Sequence, residues 1–180
     1  MQTAQAVCEL YGGTIRMRYH VKERALTLKD DFVVRDEHNN VAYEVKGHLF
    51  RIKDHFHIVD ATNGEEVIEI RQRLLDYTTH YDLFSQGAEL GSVHRKEEAT
   101  YGARFEVTTS DGMVLQIQGQ FHEWDFNIID HYGRLLGHIT KEFAFMSDHY
   151  TVDVAPGVDG PFIIALAVIL DEIREDGGKD

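Results

Sequence analysis

The chain has 180 residues, 43% hydrophobic and 27% charged, which is the composition of one ordinary globular domain with a sizeable core. Eighteen lysines and arginines against 31 aspartates and glutamates leave a formal net charge of −13, which argues against general binding to nucleic acid or to an anionic membrane surface while leaving room for a local basic patch. Cys8 is the single cysteine, which excludes an intrachain disulfide and a cysteine-rich zinc site and suits a reducing compartment such as the cytoplasm.

Residues 1–13 hold no basic n-region and no apolar run long enough for a signal peptide, and are expected to be a loose leader. Strand-like stretches follow at Ile15–His20 and Arg24–Leu28. The chain then repeats itself. Phe32-Val33-Val34 leads through Asp36–Asn40 to Val41–Val45. Phe56–Val59 leads through Thr62-Asn63-Gly64 to Val67–Ile70. Tyr81–Phe84 leads through Gln86-Gly87 to Leu90–Val93. Phe105–Val107 leads through Ser110-Asp111-Gly112 to Val114–Ile117. Phe126–Ile129 leads through His131-Tyr132-Gly133 to Leu135–Ile139, and Tyr150–Val154 opens a sixth unit. The six leading aromatics are 24, 25, 24, 21 and 24 residues apart, a regular spacing of supersecondary units. Alternating apolar residues around a short turn, glycine-bearing in four of the five complete units, predict a β-hairpin in each.

Pro156-Gly157 diverts the sixth unit into a different element. From Phe162 to Leu170 no side chain is polar. Pro161 suits the first turn of a helix, and Asp159 or Gly160 can cap it. A helix of about 160–174 that is apolar on every side must be buried on every side, yet this run falls far short of the roughly 20 residues of a membrane span. About a dozen antiparallel strands must protect their edges. The economical solution is a closed antiparallel barrel of about twelve strands around a buried C-terminal helix. The expected organisation is one mainly-β domain over 14–175, with a polar tail at 176–180.

These residues resemble the LURP-one-related family, which has the tubby C-terminal-like fold. The resemblance rests on Leu26–Asn39, on Ile70-Arg71-Gln72-Arg73-Leu74-Leu75, and on Asp148–Val154 with the helix after it. It spans about Met17 to Arg174 and implies a twelve-stranded barrel around a central helix. Phospholipid scramblases resemble the same fold distantly, and tubby proteins, similar in fold, bind phosphoinositide headgroups. The chain departs from scramblases in having no cysteine-rich palmitoylation run. The family implies no defined biochemical role.

No motif for nucleophilic catalysis is present: Ser85, Ser92, Ser110 and Ser147 lie in no nucleophile elbow, and phosphate-cradling glycine loops are absent. Asp153, Asp159 and Asp171 bracket the helix without the spacing of a calcium loop. His55 and His57, with Phe56 between them, share one strand face, a possible metal pair for which spacing supplies no third ligand. Alternation alone accounts for them as solvent-facing, so no metal or other cofactor is expected. The recurring polar feature is basic. Lys46, Arg71, Lys96 and Lys141 follow the leading aromatics of their units by 14 or 15 residues, with Arg73 and Arg95 beside them, while Gln120 breaks the series. Equivalent hairpin positions put these six near one rim, either as solvated strand tips or as an anion site. The functional expectation is a monomeric, non-catalytic binding or regulatory module for an acidic phospholipid headgroup or a protein partner. The alternatives are scramblase-like lipid handling and a metal-dependent enzyme using His55 and His57.

Overall fold

A computed structural model describes residues 17–23, 31–47, 55–73, 80–96, 103–142 and 149–177. Twelve strands and one helix follow in order: β1 Met17–Glu23, β2 Phe32–Arg35, β3 Val41–Gly47, β4 His55–Asp60, β5 Glu66–Gln72, β6 His80–Ser85, β7 Ala88–Arg95, β8 Ala103–Thr109, β9 Val114–Gln120, β10 Asp125–Ile129, β11 Leu135–Glu142, β12 His149–Val154 and α1 Gly160–Gly177. Each strand pairs antiparallel with its neighbour in sequence, and β1 pairs with β12, so the sheet closes on itself. Closure removes both sheet edges. The first expected strand sits at Met17–Glu23, and Arg24–Leu28 lies outside the described residues.

The helix is inside. Every residue from Ile163 to Leu170 is at most 2% exposed, which is what a helix without a polar face requires. Asp159 caps it, accepting the Phe162 amide at 3.1 Å, a donor that has no partner within the helix. The barrel side meets α1 with alternate residues of every strand, among them Val34, Ile58, Ile70, Leu83, Val107 and Ile139. Phe32, Phe56, Tyr81, Phe105, Phe126 and Tyr150 are all buried. Each lies at or near the start of an even-numbered strand, so the six mark one end of an antiparallel barrel, and α1 runs toward that end. The other end carries the turns that follow the even-numbered strands. Among these, Gln86 and Gly87 both take positive φ, 49° and 79°, the two-residue hairpin whose twist matches its strands.

Close approach constrains the barrel at Gly119. A Cβ there would fall 2.1 Å from the Asp125 carbonyl oxygen and 2.8 Å from the Phe126 Cα. Both are backbone atoms of β10, which pairs with β9 at this point. Gly119→Ala therefore has to displace a strand as well as the Phe126 ring, whose edge lies 2.5 Å from the same point. It is expected to destabilise the protein by about 1–3 kcal/mol, read as a lower urea midpoint at unchanged slope.

Candidate functional site

Strand alternation builds a polar wall on the outside of β4 to β8. Phe56 and Ile58 face the helix, so His55 and His57 face out. Ile68 and Ile70 face in, so Glu69 and Arg71 face out. Antiparallel register then sets His57 opposite Glu69 and His55 opposite Arg71. The two imidazole centroids are 4.5 Å apart. His55 Nε2 lies 2.5 Å from Glu69 Oε1, and Arg71 donates to both Glu69 oxygens at 2.8 and 2.7 Å. The Arg71 guanidinium rests 4.4 Å over the Phe84 ring. His57 Nδ1 is hydrogen-bonded to Glu66. That contact depends on a bulge: the ladder shifts between Ile58 and Val59. In an unbroken ladder Glu66, two residues before the inward Ile68, would point to the interior.

The Arg71 fork, helped by the bond to His55, outweighs burial and holds the Glu69 carboxyl down at about 2. A carboxyl lowered in the folded state contributes stability above its unfolded pKa and loses it in acid. For Glu69 that loss runs from the ordinary value of 4.5 down through about 2. Glu69→Gln should therefore reduce stability at pH 7 and flatten the acid limb of a stability–pH curve below pH 5. An acid limb parallel to the wild type would contradict this.

A second cluster continues the wall. Arg73 Nε donates to Asp82 at 2.5 Å, and His80 Nε2 lies 3.1 Å from the other Asp82 oxygen. The His80 and His94 rings meet edge-on at 3.9 Å, and His94 Nε2 is 3.1 Å from Ser92 Oγ. Burial, with His80 and Lys96 near it, pushes His94 below the ordinary histidine value. A serine triad would need an acid orienting His94; Asp82 is turned instead to Arg73 and His80.

Lys46, Arg71, Arg73, Arg95, Lys96 and Lys141 all lie at or just beyond the ends of odd-numbered strands, the end marked by the six aromatics. The structure divides them by direction. Lys46, Arg71, Arg73 and Lys96 are on the outer wall, each 51–53% exposed at the side chain, and each beside a carboxylate: Glu44, Glu69, Asp82 and Glu106. Arg95 is half-buried opposite Phe105. Lys141 points inward, only 4% exposed, donating to the Tyr150 hydroxyl at 2.8 Å with Asp171 at 3.7 Å. Asp153, Asp159 and Asp171 do not converge: Asp153 takes a fork from Arg18, Asp159 caps α1, and Asp171 accepts from Tyr150.

The group that spacing did not reveal is the third side chain beside the histidine pair. His55, His57 and Glu69 each bring one metal-capable atom, all within 4.8 Å of one another. Glu69 follows His57 by twelve residues across a hairpin, so only the ladder register brings it close. Among the described residues no helix is long and apolar enough to cross a membrane.

A protein-family model described as LURP-one-related matches residues 17–171. Among solved structures, the X-ray structure of a protein from Arabidopsis thaliana is similar with a TM-score of 0.66 at 20% identity, covering 92% of this chain and 95% of that one. At that identity the likeness is one of fold. No curated protein matches.

Proposed function

The chain belongs to the LURP-one-related family, and on that footing we propose that it is a non-catalytic binding or regulatory module that takes a protein partner on the outer wall of its barrel. The observation that carries this reading is the filled interior: α1 occupies the space where a barrel would otherwise hold a small ligand. Recognition then falls to the outside. The half-exposed cations Lys46, Arg71, Arg73 and Lys96 each already have a carboxylate at hand. An isolated phosphate would have to compete with Glu69 or Asp82 and approach a chain of charge −13. A protein surface of mixed charge can answer both members of each pair. The module is read as a monomer, and as cytoplasmic in keeping with its one cysteine.

A photo-crosslinker placed at Lys96, compared with one at Tyr132 on the turn end, tests this in cells that express the chain. The expected result is a discrete protein adduct from Lys96, absent from Tyr132 and lost when Arg71→Glu and Arg73→Glu are added. The contrary result is no adduct, together with co-sedimentation on phosphatidylserine or phosphoinositide vesicles at low salt that Lys46, Arg71 and Lys96 charge removal abolishes. That outcome would make an acidic lipid headgroup the ligand. A lipid-flip assay in reconstituted vesicles is expected to show no transport.

A further inference from the structure

We propose that His55, His57 and Glu69 form a binding site for a divalent transition-metal ion of the zinc class on the outer face of the β4–β5 hairpin. The inference is independent of the partner reading above. Its first support is geometric. The three donor atoms lie within 4.8 Å of one another, while ligands of a four-coordinate ion at about 2.0–2.1 Å stand roughly 3.4 Å apart. The His55–Glu69 pair, hydrogen-bonded at 2.5 Å, would open to that spacing as an ion replaces the shared proton, and side-chain rotation would draw the rest of the set together.

The second support is placement. Two ligands sit two apart on one strand and the third sits directly opposite on its ladder partner. All three therefore stand on rigid, hydrogen-bonded backbone, and little order has to be gained on binding. They are also shielded, with side-chain exposures of 14%, 20% and 11%. The neighbours suit the role. Arg71 fixes the plane of the Glu69 carboxylate by its fork, as outer-shell groups do around metal ligands. The bulge brings Glu66 to His57, where it can orient the imidazole or supply a fourth donor.

The donor set selects the ion. Two imidazoles and one carboxylate suit zinc and its late first-row neighbours, whereas calcium and magnesium call for oxygen ligands. The Arg71 charge opposes a cation, so the affinity is expected to be moderate. The competing arrangement is a pair of histidine–glutamate bonds that only staple the hairpin.

Metal-stripped full-length protein, dialysed against zinc chloride and then passed through gel filtration, separates the two. The expected result is one zinc per chain and a raised melting temperature, with magnesium giving neither. His57→Ala and Glu69→Gln are each expected to weaken zinc binding by more than the roughly 10–100-fold typical of losing an outer-shell partner. His122→Ala, on an exposed turn, should leave it unchanged. Both site variants replace wall residues and keep the inward packing; circular dichroism checks that they fold. Should one not fold, the other decides, and cobalt binding read by its visible absorption gives a second measure. Absence of zinc uptake by the wild type, or uptake equal in the folded site variants, would overturn the proposal.

Discussion

Leu166→Asp is expected to leave the chain without a cooperative fold. Leu166 is wholly buried at the middle of α1, and no water reaches its position. An ionised carboxylate there would be unpaired in a dry interior, and protonating it only reduces the cost. The neutral truncation gives a measurable version. Leu166→Ala should lower stability by about 2–5 kcal/mol, the range for a buried leucine whose surroundings collapse only in part. Domains of this kind are stable by only about 5–15 kcal/mol in total, so the truncated protein should still fold and the charged one should not. Urea denaturation followed by near-ultraviolet circular dichroism reads both. A Leu166→Ala loss below about 1 kcal/mol would mean that α1 is not held by the barrel as described.

The second large effect is expected at Lys141. Its ammonium is buried beside Asp171, donates to the Tyr150 hydroxyl, and lies 5.1 Å from the Trp124 ring centroid. Tyr150 in turn donates to Asp171. Lys141→Met keeps the apolar stem and removes the charge, leaving the buried Asp171 carboxylate without its nearby cation. Breaking a buried pair from one side costs about 3–5 kcal/mol. Adding Asp171→Asn removes the buried negative charge that faced Lys141 and keeps an acceptor for Tyr150. The double variant should therefore recover at least half of what Lys141→Met loses, although it carries one more substitution. Losses that simply add would show that Lys141 and Asp171 do not act on each other.

Most of the architecture is legible in the sequence. The spacing of Phe32, Phe56, Tyr81, Phe105, Phe126 and Tyr150 identified the hairpins because each aromatic holds the same inward place on successive even strands. The helix was legible because nine consecutive apolar residues leave no face for water. The wall was much less so. A strand changes face at every residue, so a count along the chain does not determine direction unless the register is known. Lys46 and Arg71 lie one residue past the ladder partners of Phe32 and Phe56, Val45 and Ile70, and point out. Lys141 lies two past Ile139, the partner of Phe126, and points in. The turns between them differ in length, which a spacing of 14 or 15 residues conceals. Glu69 was hidden for the same reason. Its nearness to His55 and His57 is a property of the β4–β5 ladder, and Glu66 joins them only through a bulge that no turn residue announces.

Placing recognition on the outer wall depends on α1 staying in the barrel while the protein works. Native-state hydrogen exchange of the amides from Ile163 to Leu170 measures this most directly. The expected result is that these amides exchange only through global unfolding, at the free energy found by urea denaturation. Exchange at a clearly lower free energy, with the strands still protected, would mean that the helix leaves an intact barrel and that the interior is open to a ligand.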